Sequence, residues 1–437
     1  MKNFLSSTSL KKILLTIVFI FFGFETHVKA QKSSSSPSVP VASGYILVPG
    51  TNTAIKFGGA IQLDMFYDGG PDLGDTVNVE TVPLKGVNLK AVQTGHCGVS
   101  ARASRLSVAS LTHTAKGELK LLIETDFFGN GSDSTGYSPR WRHLYAYYTV
   151  KSCSFLAGHT DSVFMDLKAI GVNLDVNGIL SGPLRQAQFR YIQKLSENLE
   201  LNVAFEKPNT DYLDSGANLL NNSSVANSTS NSSGNSGMPD ITGSLIWSGE
   251  RGHLSCRGVA RRLSVKAESI NGYPSYSSNQ TAWVLGISGK LNVFYKSGPF
   301  FQINGGDGVG RYIPDIEYYS AYFSNPSSST PNAPSRLDTQ TAINGIIGWQ
   351  QFWTSEIRTN LMTSMTRVRV SPLAQQQTAP FNNQLFKLIG NILYSLNEKV
   401  IFGLEILHVR RDTLRNAAGK NFYGMGTRVL GSVIYKF

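Results

Sequence analysis

Arginine recurs in this sequence inside short alternating runs. ARASRLSV carries Arg102 and Arg105, and LRQAQFRYIQKL carries Arg185 and Arg190. RWRHLYAYY carries Arg140 and Arg142, which share one face of an extended chain because side chains alternate. Arg257, Arg261 and Arg262 cluster in SCRGVARRLSV, and Arg367 and Arg369 fall in TRVRV. A guanidinium stays charged and presents a planar fork that grips a carboxylate through two hydrogen bonds, so the chemistry open to this set is recognition of anions. Asp64, Glu124 and Asp126 are strand carboxylates that could face the arginines across a cavity. Catalysis is not indicated. There is no G-x-S-x-G elbow, no H-E-x-x-H and no paired His/Cys spacing, and the 7 histidines are dispersed. No catalytic residue, metal ligand or cofactor site is expected.

The elements that must position these arginines are long strands. In AIKFGGAIQLDMFYD, Ile55, Phe57, Ile61, Leu63, Met65 and Tyr67 lie on one face, and Lys56, Gln62, Asp64 and Phe66 on the other. GELKLLIETDFFG, TAWVLGISGKLNVFYK, LFKLIGNILYSL, VIFGLEILHV and GTRVLGSVIYKF alternate in the same way. Strands of soluble sandwiches run about five or six residues, whereas many of these exceed the roughly 9–11 that cross a bilayer when tilted. Backbone groups in lipid must pair within a closed sheet. One polar face, short turns such as LSENLE and long polar loops therefore predict an all-β, transmembrane antiparallel β-barrel. The low charged fraction, 16% against the roughly 25% usual in soluble domains, agrees with a lipid-facing wall.

The ends of the chain fit export. Lys2, Lys11 and Lys12 precede the apolar run Ile13 to Phe24, and Val28-Lys29-Ala30 offers a cleavage site, so residues 1–30 read as a signal peptide. The apolar run is shorter than the roughly 20 residues of a spanning helix. Residues 31–44 form a Ser/Pro-rich linker, and 45–437 form the barrel, with a Ser/Asn-rich loop near 214–237. The last strand ends on Phe437, behind Tyr435, Val433 and Val429; it resembles the signal by which bacterial barrel-assembly machinery takes up outer-membrane proteins. Cys97, Cys153 and Cys256 are an odd set and cannot all pair internally.

Seven motifs in order, GYILVPGTNTAIKFGGAIQLDMFYD, ARASRLSV, GELKLLIETDFFGN, RWRHLYAYY, LAGHTDSVFMDL, VNGILSGPLRQAQFRYIQ and GGDGVGRYI, resemble the DcaP-like porins, trimeric outer-membrane channels of Gram-negative bacteria. The resemblance runs from about Gly44 to Ile313 and then weakens until the terminal strand. It implies a homotrimer of barrels of about 16 strands each, to which a length of roughly 25 residues per strand and loop conforms. It also implies passage of small anionic solutes such as dicarboxylates. Such porins can carry an N-terminal coiled coil. This chain has only the Ser/Pro linker in that place, so the walls alone would hold the trimer.

With the apolar face on lipid, charged strand residues fall inside. The expected lining is Arg102, Arg105, Arg140, Arg142, Arg185, Arg190, Arg257 and Arg311 with Asp64, Glu124 and Asp126. The alternative reading of each arginine is a pair with a neighbouring acid, or an anchor for lipopolysaccharide at the rim. LAGHTDSVFMDLKAIGVNLDVNG (156–178) is too irregular for wall and is the candidate inward loop, with Asp161, Asp166 and Lys168 toward solute; an external loop is the other possibility. GGDGVGRY (305–312) lacks the strand–helix setting of a phosphate loop and reads as pore wall, with Asp307 and Arg311 reaching the channel. The expected function is a porin with an anion preference, and the alternative is a plugged adhesin or receptor barrel. No nucleic-acid partner is expected.

Overall fold

The computed structural model describes residues 43–129, 136–170, 173–179, 183–214, 232–233, 237–267, 276–313, 315–317, 319–324, 336–375, 381–414 and 418–437. The expected leader, nearly all of the linker and most of the 214–237 stretch lie outside them.

The wall has 16 strand positions. The first six are β1 (Thr53–Asp68), β2 (His96–Ser100 continued by Arg105–Thr114), β3 (Gly117–Gly129), β4 (Ser138–Val150), β5 (Cys153–Asp161) and β6 (Arg185–Lys194). Then follow β7 (Leu199–Glu206), β8 (Asp240–Gly249), β9 (Gly252–Ala267), β10 (Tyr276–Leu291) and β11 (Gly298–Asp307). The remainder are β12 (Thr341–Phe352), β13 (Ile357–Arg369), β14 (Asn382–Ser395), β15 (Val400–Thr413) and β16 (Tyr423–Lys436). Each pairs antiparallel with the next, and β16 returns to β1 through Ile61↔Tyr435 and Tyr67↔Val429, which closes the sheet. Phe437 completes the seam: its backbone exchanges two 3.3 Å hydrogen bonds with Gly59.

Alternation sets the two faces. Ile343, Ile347 and Leu361 point outward at 56%, 60% and 61% exposure, while their inward neighbours Asn344, Asn360 and Ser364 are buried. An apolar outside over a polar inside inverts the soluble arrangement and suits lipid. The turns at one end are short, the periplasmic pattern, and the connections at the other are long. The cysteines at 97, 153 and 256 are all free.

At the loop end the alternation reverses. There, segments of four connections turn into the barrel mouth and bury Val77, Val79, Phe164, Ile179, Ile313, Ile316, Tyr319, Val370 and Phe381 in one cluster. A small sheet of Tyr212–Asp214, Ala321–Ser324 and Arg336–Thr339 packs Tyr212, Phe323 and Leu337 onto the inward Leu263 and Val265. The inner wall under these loops is therefore largely apolar; Arg261 and Arg411 face in, buried against Asp211 at 2.9 Å and Asn382 at 2.6 Å, while other arginines of the same strands face out. Arg262, Arg367 and Arg369 are exposed on the outside, beside inward Leu263 and Val368, which corrects the expectation that strand arginines line the interior.

GGDGVGRY divides at this boundary. Gly305 and Gly306 belong to β11, but Asp307 faces outward and accepts hydrogen bonds from Thr339 Oγ1 (2.6 Å) and Thr341 Oγ1 (3.1 Å), so it does not reach the channel. Residues 310–312 form a 3₁₀ turn inside the mouth. Gly310 has φ +26°, and a Cβ there would meet Asp211 Oδ2 at 2.0 Å and Ser320 Oγ at 2.1 Å. Gly310→Ala is expected to cost about 1–3 kcal/mol in stability, read from denaturant unfolding in detergent.

Candidate functional site

The interior has two unlike walls. On β2 to β6, inward side chains remain partly exposed: Arg105, Glu124, Arg140, His143, Tyr145, Tyr147, Asp161, Arg185 and Arg190. A register shift between β3 and β4 opposes Glu124 to His143 but Thr125 to Trp141. Arg142 is the extra residue of this bulge, so it and His143 both turn inward. Arg142 Nε donates to Glu124 Oε1 at 2.7 Å and Nη1 to Asp126 Oδ2 at 3.0 Å, while His143 Nδ1 meets Thr160 Oγ1 at 2.8 Å. Arg140 holds Asp126 bidentately, at 2.9 and 2.7 Å. Arg185 pairs with Asp161 at 3.0 Å.

Two arginines of this wall, Arg105 and Arg190, have no carboxylate partner among the described residues. Arg190 Nε donates to Gln188 Oε1 at 2.9 Å and its Nη2 to the Asp161 carbonyl at 2.6 Å. Arg105 makes no ion pair, although Glu124, Asp126 and Asp161 act on it from a distance along with Arg142. Glu124 and Asp126 thus pair with the adjacent strand, not across the lumen, because neighbouring strands lie within about 5 Å and the opposite wall does not. Asp64 is also locally held, by Gln62 Nε2 at 2.9 Å and by Ser432. Arg102 sits in the break of β2 at the mouth, paired with Asp75 at 3.0 Å. Arg311 belongs to the mouth as well, donating to Gln186 and, by its backbone, to Asp211.

The other wall is covered. The connection after β5 folds into the barrel and is fastened from β7 round to β16. It starts later than the sequence suggests: residues 156–161 are wall, and Asp161 is the last residue of β5 rather than part of the loop. Ser162 Oγ and the Val163 amide donate to Glu206 at 2.8 Å each. Asp166 is buried against His253 Nε2 (2.8 Å) and Ser288 Oγ (2.5 Å), and so does not face solute. Burial alone would raise its pKa, but the hydrogen bonds from His253 and Ser288 hold it below the ordinary carboxylate value. Arg257 lies beneath this loop too, donating to the Phe164 carbonyl and to Asn304 Oδ1 (3.0 Å) with its guanidinium on the Phe164 ring. Lys168 is the exposed charge of the segment.

Farther along, the Leu174 and Asp175 amides donate to Glu405 at 2.8 and 3.1 Å. Lys387 Nζ donates to the Gly178 carbonyl at 2.8 Å. Arg428 grips Asp68 at 2.7 and 2.8 Å and reaches Asp175 at 3.5 Å. Burial raises the Asp175 pKa, and Arg428 opposes that rise. Glu206, Lys387, Glu405 and Arg428 were not singled out from sequence. Their signal is a lone charge at an inward position of an otherwise apolar strand, as in LFKLIG, GLEIL and TRVLG.

Residues 42–219 match the family model described as DcaP outer membrane protein. Over that stretch the chain resembles the DcaP family. Its fold is similar to the outer membrane channel DcaP of Acinetobacter baumannii, at TM-score 0.67 and 19% identity over 88% of this chain and 98% of that one. OmpT of Vibrio cholerae aligns at TM-score 0.54 and 8% identity, over 90% and 100%. An anion-selective porin from Comamonas acidovorans aligns at 0.53 and 9%, over 88% and 100%. No curated protein matches the sequence. The chain is a β-barrel of porin-type fold in the Gram-negative outer membrane.

Proposed function

We propose that this DcaP-like barrel is a homotrimeric porin for passive diffusion of small hydrophilic solutes, with a preference for anions such as dicarboxylates. One observation carries the preference. The five inward arginines of β2 to β6 (Arg105, Arg140, Arg142, Arg185 and Arg190) share three carboxylates (Glu124, Asp126 and Asp161), while Glu118 on the same wall is taken by Lys120. The opposite wall is sealed by the inward loop, so solute runs along the side with surplus positive charge. The resemblance to a DcaP channel and to an anion-selective porin supports this at the level of fold. Outward Arg262, Arg367 and Arg369 would meet phosphate groups of lipopolysaccharide, and the Phe437 strand would engage the assembly machinery.

Reversal potentials under a salt gradient in planar bilayers test the preference. Wild type is expected to favour anions, and Arg105→Gln/Arg190→Gln to lose roughly threefold or more of that bias, since these two arginines lack carboxylate partners. Cation preference in the wild type would falsify the anion assignment. The packed cluster in the mouth favours a second reading, a plugged receptor. Persistent closure in the same recordings would support it.

A further inference from the structure

We propose that Lys290 and Arg358 form a second anion-binding station on the periplasmic side of the inward loop, which takes the carboxylate groups of a small dianion as it leaves the arginine wall. This rests on the anion reading above.

Both residues occupy inward positions near short turns. Lys290 of β10 opposes Phe300 and continues the inward row of Ser288, and Arg358 of β13 opposes Phe352 two residues before inward Asn360. They stand on the wall facing β2 to β6, and both are partly exposed. Gln350, which Lys290 Nζ reaches at 2.5 Å, opposes Asn360 of β13, two residues from Arg358. Among the described residues neither forms an ion pair with a carboxylate; Lys290 Nζ meets a neutral amide, and Arg358 Nε is buried with no hydrogen-bond acceptor.

The one polar contact of the ammonium leads away from any acid. Lys290 Nζ donates to Gln350 Oε1 at 2.5 Å, Gln350 Nε2 to Asn360 Oδ1 at 2.9 Å, and Asn360 Nδ2 to Asn391 Oδ1 at 2.7 Å. Only at the far end does Asn391 reach a carboxylate, Glu405, which already accepts two loop amides. The belt therefore fixes Lys290 in place without neutralising it.

Inward cations without an acid partner and an orphaned N–H are each unfavourable until an acceptor-bearing anion arrives. Arginine engages one carboxylate through its fork, and lysine supplies a point charge for a second. Spherical chloride satisfies only part of this arrangement, so the station discriminates toward oxyanions.

The test uses the full-length protein in planar bilayers, with succinate added to one side at a time and chloride as background. In wild type, succinate from the turn side is expected to produce current fluctuations. In K290Q/R358Q the concentration for half-maximal block from that side is expected to rise about tenfold, while K290R/R358K keeps wild-type block. Heat-modifiable mobility on gels checks that the variants form the barrel. Unchanged block in K290Q/R358Q overturns the station. The wild-type reversal potential in chloride alone reports on the anion reading separately, and K290Q/R358Q should remain anion-preferring through Arg105 and Arg190.

Discussion

Excising residues 163–179 in favour of a short glycine linker is expected to raise single-channel conductance roughly twofold or more, because the segment fills the cross-section between β7 and β16. The groups it now covers, among them Glu206, His253, Lys387 and Glu405, would then face water in the lumen. Hydration replaces the hydrogen bonds they lose, so the wall should survive the deletion. The affected solutes should also grow in size, with liposome swelling by larger sugars as the second readout. An unchanged conductance would show that current does not pass beside this loop.

The largest single-residue effect is expected at Arg428. It is 1% exposed and is the cation for two buried carboxylates, Asp68 at 2.7 Å and Asp175 at 3.5 Å. It also donates to the Gly74 carbonyl and stacks on the Phe66 ring at 3.8 Å, so it ties β16, β1 and two connections together. Removing one partner of a buried pair leaves an uncompensated charge at a cost of about 3–5 kcal/mol. Arg428→Ala should lower the unfolding free energy from denaturant titration by that much, and Arg428→Lys by less, since the ammonium keeps the charge but not the fork. The Asp175 pKa, already raised by burial, should then rise further, as the Arg428 charge that opposes the rise is gone. A variant as stable as wild type would mean that water already reaches this cluster.

The parts of the molecule read most directly from sequence are those that depend on neighbours along the chain. Period-two patterning in AIKFGGAIQLDMFYD identified which side of β1 meets lipid, and Ile61, Leu63, Met65 and Tyr67 are indeed exposed while Asp64 and Phe66 are buried. The same rule placed Arg105, Arg140 and Arg190 inside. It failed for Arg262, Arg367 and Arg369, where parity still held but the sign of the inner face had changed. That change comes from loops folded onto Leu263 and Val368, and nothing in RRLSV or TRVRV announces them.

Pairing was less legible. Asp126 and Arg140 are 14 residues apart and share a hairpin, so their contact follows once its register is known, but the bulge that turns Arg142 inward shifts that register by one residue. Glu405 and the Leu174 amide are separated by 231 residues. Their meeting depends on how the chain after Asp161 crosses the lumen.

The sequence by itself determined a closed antiparallel barrel, its lipid face and an arginine-rich interior, because alternation and strand length are local and hydrocarbon permits no unpaired edge. Tertiary structure alone decided which interior charges stay open to solute. Arg105 and Arg190 remain accessible while Arg257, Lys387 and Arg428 serve the loop, a division set by which wall the loop covers, since burial under a distant segment is a property of the folded space and not of the strand that carries the charge.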